Sequence, residues 1–124
     1  MLTKRVTPIL RIFDAAKARE FYVGFLDFSV DWEHRFAPDM PLYLQISREG
    51  LVLHLTEHHG DCSPGSAMRI EIDDVDALQQ ELMAKQYSYA RPGVADMPWG
   101  SRDMSVTDPF GNRLTFTTAV NDGA

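Results

Sequence analysis

The chain repeats itself. Leu10-x-Ile12-x-Asp14 recurs as Ile70-x-Ile72-x-Asp74 at an offset of 60, and Gly50 and His54 fall on Gly111 and Thr115 at an offset of 61. A repeat of this length means two copies of one supersecondary unit, each too small to bury both faces of its own sheet. In the first copy, Val6 to Phe13 alternates as a half-buried strand. Asp14 to Phe25 carries Ala18, Phe21, Tyr22 and Phe25 at helical spacing. Asp27 to Phe36 is aromatic and β-rich, Pro38 to Pro41 is a loop, Leu42 to Ser47 is a strand, and Arg48-Glu49-Gly50 turns the chain into Leu51 to Glu57. Each copy thus reads β-α-β-β-β.

The second copy begins with Met68 to Ile72, and Asp73-Asp74 caps a helix that turns Val75, Leu78, Leu82 and Met83 inward. Tyr87 to Tyr89 reads as a short strand and Arg91 to Pro98 as a loop. The last hairpin is the plainest element: two alternating runs flank Asp108-Pro109-Phe110-Gly111-Asn112, whose proline sets φ early and whose Gly-Asn tolerates positive φ late. Alternation sends Met104, Val106, Leu114 and Phe116 one way and Asp103, Ser105, Arg113, Thr115 and Thr117 the other. The expected architecture is α+β, with modules 1–58 and 66–119 of one domain (1–124) joined by the polar linker 59–65. Both modules contribute to a curved mixed sheet with helices on its convex side and a cleft on its concave side.

At 124 residues this is one small domain, for which self-association is expected. A net charge of −6 without clustered Lys and Arg argues against nucleic acid and tolerates a cationic small molecule. No run of 18 apolar residues is present and no apolar leader follows Met1, so neither a membrane span nor export is expected and the cytoplasm is the default location. The single Cys62 allows no internal disulfide.

The concave face is expected to carry Thr7, Ile9, Arg11, Val52, His54, Thr56, Ala67, Arg69, Glu71, Arg113 and Thr115, a mixture too polar for a dry core, which points to a ligand cleft. His54 is its one acid-base or ligand candidate, and a single imidazole makes no metal site. His58-His59-x-Asp61-Cys62 reads as a solvated loop. Trp32, Phe36 and Trp99 offer flat apolar surface near strand ends, suited to a heteroaromatic ligand or a subunit interface. The candidate ligand contacts are these three aromatics with Gln45, His54 and Arg69, together with Arg102 and Asp103 of the last hairpin. No phosphate loop, nucleophile elbow or dinucleotide fingerprint occurs.

Three stretches carry a family resemblance: Thr7-Pro8-Ile9-Leu10-Arg11-Ile12-Phe13-Asp14; Glu20-Phe21-Tyr22 through Phe25-Leu26-Asp27-Phe28; and Trp99-Gly100-x-Arg102 followed by Asp108-Pro109-x-Gly111-Asn112. Over its whole length the chain resembles the vicinal oxygen chelate superfamily of glyoxalase I, extradiol dioxygenases, fosfomycin-resistance enzymes and bleomycin resistance proteins. The resemblance implies paired β-α-β-β-β modules. It also implies, for the metalloenzymes, donors at places that fall here on Thr7, His54, Ala67 and Thr115, of which only His54 could bind. The chain is therefore most similar to the metal-free bleomycin resistance branch. That similarity implies a homodimer without cofactor or catalytic residues, holding a cationic or aromatic compound such as a bleomycin-type antibiotic. A metal-dependent lyase, isomerase or dioxygenase is the alternative.

Overall fold

Two aspartates placed 60 residues apart start the two helices in the same way. In a computed structural model that describes residues 1–120, Asp14 and Asp74 are extended, and each carboxylate accepts the amide N–H three residues on, from Lys17 and Ala77, at 3.0 Å. The chain divides into two compact units, one spanning Met1–Ser66 and the other beginning at Ala67.

The first unit runs β1 (Ile9–Arg11), α1 (Ala15–Arg19) continuing as a π-helical stretch (Glu20–Phe25), β2 (Ser29–His34), β3 (Tyr43–Arg48) and β4 (Leu51–Thr56). Its four-stranded sheet has the order β1-β4-β3-β2. β1 and β4 are parallel and the other pairs antiparallel, so the helical connection crosses from one sheet edge to the other. Leu10, Leu44, Ile46, Leu53 and Leu55 point to one side by strand alternation and are buried, as are Phe21, Tyr22 and Phe25 of the helix. The Phe21 and Tyr22 rings meet edge to face at 5.0 Å. Full burial of side chains of this size stabilises by about 1.5–3 kcal/mol each, so this layer holds the unit together. Arg48 Nη1 donates to the Leu26 carbonyl at 2.9 Å, and Arg19 pairs with Glu33, tying the helical segment to β3 and β2.

The second unit runs β5 (Ala67–Glu71), α2 (Val75–Ala84), β6 (Ala95–Met97), β7 (Ser101–Thr107) and β8 (Arg113–Ala119). Its sheet, β5-β8-β7-β6, has the same order and senses. α2 packs against β7 and β8, and Val75 and Leu82 of the helix are buried, as are Met104, Val106, Leu114 and Phe116 of the strands. The α2 amide at Val75 donates to Thr118 Oγ1 at 2.8 Å, and that hydroxyl donates to the Ile72 carbonyl at 3.1 Å. The mixed sheet expected from the sequence is thus hydrogen-bonded as two four-stranded sheets, one per unit.

Three local expectations are corrected. Tyr87 to Tyr89 forms no strand: Tyr89 is exposed and its ring packs edge to face on Tyr87 instead. The fourth strand is Ala95–Met97, inside the stretch read as a loop, because pairing with β7 satisfies its backbone whatever its weak propensity. Met83 is exposed, since it stands one residue round the helix from the buried stripe of Val75 and Leu82.

The Asp108–Asn112 connector is a self-contained turn. Asp108 Oδ1 accepts from the amides of Phe110 and Asn112, and Asn112 Nδ2 donates to Asp108 Oδ2, all at 2.8 Å. Gly111 has φ +88°, which a side chain would oppose. Asp108 and Asn112 are buried, so this motif builds the hairpin and presents no ligand group.

Candidate functional site

In each unit the side of the sheet opposite the buried layer is polar. On the first sheet Tyr43, Gln45 and Ser47 of β3 alternate with buried Leu44 and Ile46, and His54 of β4 lies in register with Gln45 on one side and Ile9 on the other. β2 contributes through a bulge between Val30 and Trp32: Val30 pairs with Ile46, Trp32 pairs with Gln45, and Asp31 is the extra residue. The bulge lets both Asp31 and Trp32 reach the polar face, which strict alternation forbids.

A chain of hydrogen bonds follows. Gln45 Nε2 donates to Asp31 Oδ2 at 3.1 Å and Ser47 Oγ to Asp31 Oδ1 at 2.9 Å. Gln45 Oε1 is thereby turned to His54 Nε2, 3.0 Å away, while the Tyr43 hydroxyl meets His54 Nδ1 at 2.7 Å. One tautomer satisfies all four groups: Nε2–H donates to Gln45 and Nδ1 accepts from Tyr43. Burial, and secondarily the charge of Arg5, hold the imidazole below its ordinary pKa, so it is neutral near pH 7. Burial, with Asp61 nearby, pushes the Tyr43 hydroxyl above its usual range, so this tyrosine stays protonated and donates.

Aromatic rings close over this chain. Trp32 stacks on Tyr43 with centroids 6.0 Å apart and planes 10° apart, and it meets His54 edge to face at 5.3 Å. Trp32 remains 43% exposed, which leaves indole surface for a ligand. Phe36 stands apart from this cluster; it is largely exposed and its ring contacts are His34 at 4.7 Å and His58 at 6.3 Å.

The second sheet carries charge at the matching places. Asp103 of β7 is 5% exposed and accepts hydrogen bonds from Thr117 Oγ1 at 2.6 Å and Ser101 Oγ at 2.9 Å. Arg69 of β5 forks onto it, Nη1 to Oδ2 at 2.8 Å and Nη2 to Oδ1 at 3.3 Å. The guanidinium and then the Thr117 hydroxyl hold the carboxyl down to about 2, so the pair is ionic at any physiological pH. Ser105 and Thr115 share a hydroxyl hydrogen bond of 2.7 Å beside it.

The structure therefore brings Trp32, Gln45 and His54 together in one unit, and Arg69 and Asp103 together in the other. Arg102 is a correction: as the neighbour of Asp103 on β7 it points to the opposite side, where it bonds both carboxylate oxygens of Asp76 on α2 and Oδ1 of Asp96 on β6. It braces the helix and does not join Asp103. Trp99 sits in the turn between β6 and β7, 67% exposed. Sequence reading missed Tyr43 and Asp31 as members of the site. Tyr43 was available from its i, i+2 spacing to Gln45; Asp31 required the bulge, which no residue announces.

The chain consists of two βαβββ units, each with a half-open polar face on its own sheet. The chain belongs to the glyoxalase superfamily: the family model described as "Glyoxalase superfamily protein" matches residues 1–123. Among solved structures, it is similar to the bleomycin-binding protein of Streptomyces verticillus in complex with copper(II)-bleomycin (28% identity, 98% of this chain and 100% of that one, TM-score 0.67). It is also similar to an antibiotic binding protein from Streptomyces sp. CB03234 (23%, 96% and 98%, TM-score 0.70). A third similar structure is the bleomycin resistance determinant encoded on transposon Tn5 (19%, 94% and 98%, TM-score 0.73). Among proteins of curated function no sequence matches.

The divalent metal of the superfamily's enzymes does not fit the residues present. The Thr7 hydroxyl accepts from Arg5 Nε at 3.2 Å, Ala67 has no donor atom, and the Thr115 hydroxyl is bonded to Ser105. Both nitrogens of His54 are engaged by Tyr43 and Gln45. Among the described residues no group of three or more His, Cys, Asp and Glu could hold a metal ion. No helix among them is long and apolar enough to cross a membrane.

Proposed function

We propose that the protein is a metal-free small-molecule binding protein that sequesters a cationic or aromatic compound, of the bleomycin class, in a cleft completed by a second copy of the chain. The observation that carries this reading is the Trp32–Tyr43–His54 wall: where a metalloenzyme needs a free imidazole, this chain has one locked by two hydrogen bonds beneath an exposed indole. A neutral imidazole and a flat indole accept a planar ring, and the Asp31 carboxylate at their edge favours a positive charge on it. The similarity to the Streptomyces verticillus bleomycin-binding protein supports the ligand class. Trp99 and Phe36, both largely exposed, are further stacking surfaces in this reading.

Calorimetric titration with bleomycin tests it. Wild-type protein is expected to bind, and Trp32→Ala or Trp99→Ala to weaken binding by roughly two- to tenfold, from the loss of about 0.5–1.5 kcal/mol of stacking, with the melting temperature unchanged for Trp99→Ala. No heat from wild-type protein would sink the drug assignment. Sedimentation as monomer only at micromolar concentration would sink the shared cleft.

A further inference from the structure

The polar face of the second sheet holds an organised set of donors, most of them paired with one another across the strands and two of them, the Arg69 Nε–H and one hydroxyl hydrogen of the Ser105–Thr115 pair, with no acceptor among the described residues. Arg69, Thr115 and Ser105 stand in one cross-strand row, and Glu71, Thr117 and Asp103 in the next. Arg69 reaches across to the second row, where its two Nη atoms bond Asp103 and Nη2 also lies 3.4 Å from Thr117 Oγ1. Asp103 cannot swing, because it is buried and fixed by Ser101 and Thr117 from the other side. The guanidinium is therefore held in one orientation, while 51% of the Arg69 side chain stays exposed and its Nε–H bonds no atom among the described residues. Next to it, the Ser105–Thr115 contact uses one hydroxyl hydrogen and leaves the other to offer, with Ser105 at the surface.

The charges around this row cancel. Asp103 and Glu71 face Arg69 and Arg113 on the same side of the sheet, so an anion gains no net local field, and the chain as a whole carries −6. What the row supplies is donors in fixed directions, which suits an oxygen that accepts without carrying charge. We infer that the Arg69–Thr115–Ser105 row is a subsite for an uncharged carbonyl oxygen, as in a carboxamide or carbamate, on the ligand of the protein. This deepens the reading under Proposed function and rests on it for the identity of the whole ligand.

The test reads Arg69 directly, through the Nε–H signal in a proton–nitrogen correlation spectrum, assigned by its loss in Arg69→Lys. N-acetylglycinamide, acetate and inorganic phosphate are titrated at constant ionic strength. The amide is expected to shift the signal at lower concentration than either anion, and Ser105→Ala, at an exposed position, to weaken that response by roughly two- to tenfold. A silent Arg69 signal up to the solubility limit of the amide, or a tighter response to phosphate or acetate, overturns the proposal. Bleomycin in the same spectrum separates the two readings. Bleomycin binding with Arg69 unmoved overturns the subsite and leaves the drug reading standing, whereas an amide response without bleomycin binding keeps the subsite and discards the drug.

Discussion

The two sheets share strand order and senses, and their two central strands correspond in register but differ in chemistry on one side only. Register places Tyr43 opposite Thr56 and Gln45 opposite His54 in the first unit, and Asp103 opposite Thr117 and Ser105 opposite Thr115 in the second. These residues of the first set are neutral and capped by aromatic rings, with the Asp31 carboxylate at their edge, whereas the second set is built on an ion pair. On the other side the repeat is kept in kind: Leu53 and Leu55 correspond to Leu114 and Phe116, all buried. The helix-facing side must exclude water, so only apolar residues of similar volume serve there. The polar side needs only hydrogen-bond partners for whatever it half buries, and many combinations meet that demand.

The comparison is tested most strongly through its shared half. Leu53→Ala and Leu114→Ala are each expected to cost about 2–5 kcal/mol in urea denaturation, because both side chains are completely buried at equivalent positions. Costs that differ widely would show that the two buried layers are not equivalent. The polar faces are expected to separate next. Asp103→Asn removes a charged acceptor from Arg69, Ser101 and Thr117 and is expected to cost about 1–3 kcal/mol, against about 0.5–1.5 kcal/mol for Tyr43→Phe, which removes one neutral hydrogen bond. Equal losses in the same denaturation series would erase the distinction between ionic and neutral faces. Asp14→Ala and Asp74→Ala are expected to cost about 1 kcal/mol each, read from helical circular dichroism on thermal melting.

The comparison extends to pH dependence, which assigns a separate window to each unit. Native His54 resists protonation relative to its ordinary value of 6.5, so the unfolded state takes up the proton first. The contribution is complete above pH 6.5 and is lost as pH falls below it. Asp103 titrates at about 2 in the native protein against 3.8 ordinarily, so its contribution is complete above 3.8 and is lost as pH falls through 2. In urea midpoints measured across pH, His54→Gln should flatten the first window alone and Asp103→Asn the second alone.

Much of the fold was legible because it depends on local and periodic signals. The Asp14 and Asp74 caps, the alternation of Leu53-His54-Leu55 and Met104-Ser105-Val106, and the Asp108–Asn112 turn each act within a few residues of themselves. The site was legible in part. Gln45 and His54 share a face by alternation on neighbouring strands, and Arg69 and Asp103 do so in the other unit. Arg102 was misplaced because it was grouped with its chain neighbours although strand alternation turns it toward α2. Ala95–Met97 was missed because its pairing partner, and not its own side chains, makes it a strand.

By itself the sequence determined the repeat, the βαβββ plan of each unit, the helix starts, the last hairpin and the division of each strand into an apolar and a polar side, since all of these follow from short-range sterics and a period of two or 3.6. Tertiary structure alone decided three things: that a bulge at Asp31 turns Trp32 onto Tyr43 and His54, that the imidazole is neutral with both nitrogens taken, and that Arg69 is pinned by a buried Asp103. Each depends on side chains 9 to 34 residues apart meeting within hydrogen-bond distance, and only the assembled sheet sets which of the possible partners is within reach.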